Sequence, residues 1–212
     1  MFDSALLSTA YFAPIQYYSK LFCHKTIYIE IFENYCKQTY RNRCNILAAN
    51  GELSLTIPIK KTGAKILTKD VKIDYDSRWV SIHLKAIESA YRSSPFYIYY
   101  IDDIVPILNK EPTFLVDLNF ELQNSILDLL GFKPHIENTA NFKQIPSNCI
   151  DLTEVIHPKE SKKKPDTNFH CESYYQVFGE KYDFIPNLSI LDLLFNMGPS
   201  AIETIQKSSV RI

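Results

Sequence analysis

Two hydrophobic periods divide this chain. Between residues 79 and 91, Trp79, Ile82, His83, Ala86, Ile87, Ala90 and Tyr91 recur at helical spacing, which predicts a helix over that span. Ser77 or Asp76 is placed to cap it. Thr26 to Ile31 alternates and is rich in β-branched residues, so it reads as a strand. Residues 5–12 predict an earlier strand, and Pro14 admits a short helix through Tyr17, Tyr18 and Phe22. Further helices are predicted over Phe96–Leu108 and Thr113–Leu130, the second stopped by Gly131 and Pro134. A short strand is expected near His135–Asn138. Two short helices fall within 187–207, separated by Gly198-Pro199. Ser189-x-x-Asp192 and Ser200-x-x-Glu203 read as capping boxes for them.

Asn50-Gly51 is the strongest turn signal, a type I′ pair between two strand-like runs. A turn centred there pairs Ala49 with Glu52, Ile46 with Leu55 and Cys44 with Ile57. Cys44, Ile46, Leu55 and Ile57 then share the core face, with Arg43, Asn45, Ser54 and Thr56 on the polar face. Pro58 opposes Arg43 in that register and cannot donate, so the ladder should fray there. Asn42 and Arg43 are left at the mouth of the hairpin, Asn42 turned inward. Strands alternating with helices predict an α/β or α+β fold in one domain spanning 1–212. Its mixed sheet is expected to contain the 43–59 hairpin with helices packed against it. Residues 152–172 form a polar, lysine-rich loop that includes Lys162-Lys163-Lys164.

Length adds that 212 residues can bury a core without disulfides or metals. The balance of 23 basic and 24 acidic residues leaves a net charge of −1, which argues against nucleic acid as a partner. Five cysteines with no C-x-x-C give neither a disulfide framework nor zinc spacing, and no metal is expected. The first residues lack a basic n-region, and no apolar run is long enough for a transmembrane segment. The expected location is therefore cytoplasmic. With 5 glycines and no P-loop, G-x-G-x-x-G or H-E-x-x-H, no cofactor is expected.

Candidate chemistry centres on a few polar residues in apolar settings. His83 lies inside a helical apolar stripe, as a core histidine or as a general base in a cleft. Convergence of Gln16, Asn42 or Arg43 on it would favour the second reading. Gln38 and Tyr40 lead into Arg41-Asn42-Arg43, a dense polar cluster suited to an anionic ligand such as a nucleotide sugar. Its bland reading is an outer sheet face with ion pairs. A Ser189, His83, Asp192 triad lacks a G-x-S-x-G, and the capping box already accounts for Ser189 and Asp192. Cys23-His24 are adjacent and do not face each other as a catalytic pair should.

Several segments together resemble a known family. They are Tyr11-Phe12-Ala13-Pro14-Ile15-Gln16-Tyr17-Tyr18, then Arg41-Asn42-Arg43-Cys44 with Asn50-Gly51 and Leu55-Thr56-Ile57-Pro58-Ile59. The helix carrying Trp79, His83, Ile87 and Tyr91 follows, and the block Phe184-Ile185-Pro186-Asn187-Leu188-Ser189 leads to Asp192 and Gly198-Pro199. The chain resembles the WbqC-like family in a compact form, with 152–172 replacing a longer segment of other members. The resemblance implies a place in surface-polysaccharide and O-antigen biosynthesis. It suggests a transferase-like enzyme acting on an activated sugar or acyl donor. His83 and Asp192 would then be catalytic. Gln16, Tyr40, Asn42, Arg43 and Asn187 would contact a small-molecule or nucleotide-sugar-like ligand. The alternative is a non-catalytic ligand-binding or assembly protein in which the same residues are structural.

Overall fold

Ala5, Leu6 and Leu7 are all buried, as a strand covered on both faces requires. They belong to β1 (Ser4–Ser8) in a computed structural model that describes residues 3–61, 65–162 and 164–209. Lys163 lies outside the described residues. β1 leads through α1 (Ile15–Cys23) into β2 (Thr26–Glu30), which pairs parallel with β1 from Ser4↔Thr26 to Ser8↔Glu30. The strand expected to reach residue 12 ends at Ser8. Beyond it the Tyr11 N–H bonds to the Tyr40 carbonyl, and Phe12 turns the chain at φ 39°.

β3 (Arg43–Ala48) and β4 (Gly51–Thr56) form the hairpin, which is a two-stranded sheet of its own rather than part of the main sheet. Ala48 pairs with Gly51 and Cys44 with Leu55, so the turn residues are Ala49-Asn50. The Ala49 carbonyl accepts from Lys181 Nζ and the Tyr182 hydroxyl, tying the turn to the later chain. The register differs by two residues from the expected one. Because side chains alternate with period two, the faces are unchanged. Cys44, Ile46, Leu55 and Ile57 are buried. Pro58 falls outside the ladder, which closes with the Ile57 N–H on the Asn42 carbonyl. Asn45, expected on an outer face, is buried because residues near Ser189 cover it: the Ser189 N–H bonds to the Asn45 carbonyl.

α2 (Trp79–Tyr91) has the predicted bounds, but Arg78 occupies its N-cap and no side chain caps it. α3 (Tyr97–Leu108) packs against α4 (Leu115–Leu129), which ends as expected with Gly131 at φ 65°. β5 (His135–Asn138) pairs parallel with β2, and β6 (Cys149–Asp151) pairs parallel with β1. The main sheet therefore has the order β5-β2-β1-β6. α5 (Gly179–Tyr182), α6 (Ile190–Met197) and α7 (Ala201–Lys207) follow. Ser200 makes no side-chain cap at α7, so that capping box does not form. One cluster of buried apolar side chains joins sheet, hairpin and helices around Tyr11, Phe12, Tyr91 and Phe195. Among the described residues no helix is long and apolar enough to cross a membrane.

Candidate functional site

All four parallel strands present their carboxyl ends on one edge. From β1 the chain goes to β2 on one side and returns to β6 on the other. That reversal beside β1 opens a crevice at the strand ends, where open α/β sheets bind ligands. Ser8, Thr9, Tyr40, Arg41 and Thr153 line a small cavity of about 20 Å³ there. Arg41 and Thr153 also line an adjoining cleft of about 520 Å³. Arg41 is buried and forks onto Glu33, Nε to Oε1 at 2.7 Å and Nη2 to Oε2 at 2.6 Å. Nη2 also donates to Ser8 Oγ at 2.8 Å, which fixes the guanidinium to the end of β1. From α4, Asn119 Nδ2 holds the Arg41 carbonyl at 2.8 Å.

Lys143 is brought to the cleft by Glu30, the last residue of β2, which is 0% exposed. Its carboxylate accepts from the Phe32 N–H at 2.7 Å, Thr139 Oγ1 at 3.1 Å and the Lys143 N–H at 2.7 Å. Three donors replace the water a buried carboxylate has lost. They also hold Lys143 at φ 49°, with Phe142 exposed beside it. Lys143 Nζ reaches Asp151 Oδ2 at 2.5 Å. Burial raises the Asp151 carboxyl, but the bonds from Lys143 and Thr153 outweigh it and the pKa is lowered. Arg41, Lys143, Lys162 and Lys164 line the cleft against Glu33 and Glu154, a cationic excess. His157 lines it too, its pKa lowered chiefly by burial. Its Nδ1 accepts the Lys159 N–H at 3.0 Å, so the neutral ring carries its hydrogen on Nε2 and offers a donor.

A second pocket, of about 440 Å³, lies beside the start of α1. Here the structure brings together two residues far apart in sequence, Gln16 and Asn187. The Gln16 N–H bonds to Asn187 Oδ1 at 2.9 Å, and Asn187 Nδ2 bonds to Gln16 Oε1 at 3.3 Å. Gln16 Nε2 donates to Asp166 Oδ2 at 2.8 Å, and the buried Lys20 pairs with the same oxygen at 2.7 Å. Burial raises the Asp166 carboxyl, and the Lys20 and Gln16 bonds overcome it, leaving the pKa lowered. Lys164 lines both this pocket and the cationic cleft.

The remaining site residues are placed elsewhere. His83 is 3% exposed, its ring stacked edge-on to Trp79 with centroids 5.0 Å apart. Nδ1 lies 2.9 Å from the Tyr11 hydroxyl, and the ring also bonds to the Thr56 carbonyl. A carbonyl only accepts, so the imidazole N–H donates to Thr56 and the Tyr11 hydroxyl donates to Nδ1. Burial lowers its pKa to about 4. Asn42 donates from Nδ2 to the neighbouring Ile57 carbonyl at 2.7 Å. Arg43 sits on the outer face, Nε on Thr56 Oγ1 at 3.1 Å. Asp192 is 1% exposed and does not complete the capping box. Ser189 Oγ does cap α6, accepting the Leu191 N–H at 3.3 Å. The Asp192 carboxylate instead accepts from the Tyr91 hydroxyl at 2.9 Å, the Tyr174 hydroxyl at 2.7 Å and Gln176 Nε2 at 3.1 Å. Burial without a cation pushes it up to about 6.

Sequence reasoning passed over Glu30, Glu33, Lys20 and Asp166. A carboxylate closing the apolar run Ile27, Ile29 was a readable signal for Glu30. Gln16 and Lys20, four apart among apolar helix positions, were another.

Fold and cleft together define an α/β protein with a cationic crevice at the carboxyl edge of a parallel sheet. The chain belongs to the WbqC-like protein family, whose match covers residues 9–163. That span includes Glu30, Arg41, Lys143 and His157, and it stops before Asp166, Asn187 and Asp192. The chain is also similar to the uncharacterized protein Rv1507c of Mycobacterium tuberculosis. The two are 28% identical over 191 residues, covering 79% of this chain and 81% of that protein. No solved structure matches this chain.

Proposed function

We propose that this protein acts in surface-polysaccharide or O-antigen biosynthesis as a cytoplasmic, transferase-like enzyme on an activated sugar or acyl donor. The observation that carries this is the cationic cleft beyond the carboxyl ends of β2, β5 and β6. Nucleotide sugars and acyl-CoA share an anionic phosphate-bearing portion, which Lys162 and the His157 donor suit, with Lys143 beside them sharing its charge with Asp151. Arg41 enters already paired with Glu33, so it shapes the wall more than it supplies free charge. In such a reaction an acceptor oxygen bonds to the transferred carbon, the bond to the leaving group breaks, and the anion stays in the cleft while a base takes the proton. Thermal-shift measurements with nucleotide sugars and acyl-CoA test this. The expected result is a melting temperature that rises with ligand concentration. The rise should be lost when Lys143→Ala and Lys162→Ala are combined. No shift with any donor, on a folded protein, would overturn the reading.

A non-catalytic ligand-binding protein is the second reading, favoured by the burial of His83 and Asp192 away from the cleft lining. Under it those two residues are supports for the fold. Donor binding without turnover in the presence of hydroxylic acceptors would select it.

A further inference from the structure

The pocket beside α1 differs in chemistry from the cleft it adjoins. Asp166 is neutralised by Lys20 at 2.7 Å, and Lys164 at the shared rim is engaged by Glu154 at 2.5 Å. No net charge is left to select an ion. Neutral hydrogen-bonding capacity remains. Gln16 Nε2 and Asn187 Nδ2 each use one hydrogen within the cluster and keep a second. Asp166 Oδ1 accepts the Asn168 N–H at 3.1 Å and has a further lone pair. Donors and acceptors therefore sit on neighbouring atoms, the arrangement that a hydroxyl, itself both donor and acceptor, can answer twice. Phe169, Pro165 and Pro186 supply an apolar wall. The polar atoms are already oriented: Gln16 is 1% exposed, and Asn187 is held at φ 58° by its bonds to Gln16.

We propose that this pocket binds an uncharged, polyhydroxylated ring. Its volume suits a small molecule of that size. The binding site rests on its own geometry. Its assignment as the acceptor half of a transfer, meeting the donor at Lys164, rests on the reading of the cleft given above.

The test follows the side-chain NH₂ resonances of Gln16 and Asn187 in ¹⁵N-labelled full-length protein. The probes are D-glucose, D-galactose and N-acetyl-D-glucosamine, with glycerol as the control that lacks a ring. Saturable shifts centred on Gln16, Asn187 and the backbone near Asp166 are expected. Asn187→Gly removes the amide and keeps a residue at ease with positive φ. It should weaken the response by about tenfold or more, as the loss of one or two hydrogen bonds does. Lys143→Ala, in the cleft, should leave the response unchanged. The wild-type titration decides even if Asn187→Gly fails to fold. No saturable shift with any of the three sugars, or the same shifts with glycerol, overturns the proposal. Shifts at these amides with UDP but not with sugars also overturn it. Failure of nucleotide sugars or acyl-CoA to bind would sink the donor reading alone, because the sugar titration needs no donor.

Discussion

Asn42 uses half of its amide. Nδ2 donates to the Ile57 carbonyl, while the buried Oδ1 has no partner among the described residues. Asn42→Ala leaves that carbonyl unanswered and should lower stability by about 1–3 kcal/mol. Denaturant melts measure this, and donor affinity should be unchanged because Asn42 does not line the cleft. A normal melt with lost binding would contradict it. Local sequence conveyed that Asn42 points inward, since the hairpin alternation fixes faces. It did not convey the partners of Asp192. Ser189-x-x-Asp192 fits a capping box, and Ser189 does cap. Tyr91 and Tyr174, which lie 101 and 18 residues away in the chain, outcompete the cap for the carboxylate. A motif states what a side chain is able to reach within one turn, and a packed core offers it more.

Elements bounded by a strong period were legible in full, as α2 shows. β6 was not, because three residues carry no period, and only pairing with β1 makes them a strand. The hairpin was found but set two residues out of register. Asn50-Gly51 is a good turn pair, yet the bonds of Lys181 and Tyr182 to the Ala49 carbonyl act from a distant segment. The end of α6 gives a prediction at this scale. A Cβ on Gly198, at φ +53°, would lie 2.4 Å from the Phe96 ring, whose backbone N–H bonds to the Phe195 carbonyl. At Gly131, φ +65°, nothing lies within 4 Å of such an atom. Gly131→Ala should therefore cost about 1–2 kcal/mol from backbone strain alone. Gly198→Ala should add about 1–3 kcal/mol for overpacking. Equal melting temperatures for the two variants would refute the contact argument.

Across the whole molecule, His83 and Asp192 give stability opposite dependences on pH. His83 is lowered from 6.5 to about 4, facing Tyr11, Trp79 and the Thr56 carbonyl, so the fold prefers its neutral form. Its contribution is complete above about pH 6.5 and is lost as pH falls through about 4, roughly 3 kcal/mol in all. Asp192 is raised from 3.8 to about 6 among Tyr91, Tyr174 and Gln176, so the fold prefers its protonated form. That contribution is complete below about pH 4 and is lost as pH rises through about 6, again roughly 3 kcal/mol. Between pH 4 and 7 the two oppose each other. Relative to the native protein, Asp192→Asn should gain about 3 kcal/mol on going from pH 4 to 7, and His83→Gln should lose a similar amount. Urea unfolding at four pH values checks this, and parallel curves for all three proteins would exclude it. The cationic cleft was the least legible part, because its residues come from three separate segments, 33–41, 142–143 and 153–164, that only the sheet order assembles. That order bears on how the molecule forms. Thr139 meets Ile29 across 110 residues of chain, and β6 joins β1 later still. Neither edge of the β1–β2 pair can close from local sequence. Loop closure must precede any gain from those strands, which slows folding. Until residues near 135 and 150 arrive, two apolar strand edges stand open, and that interval is when this chain is most exposed to aggregation.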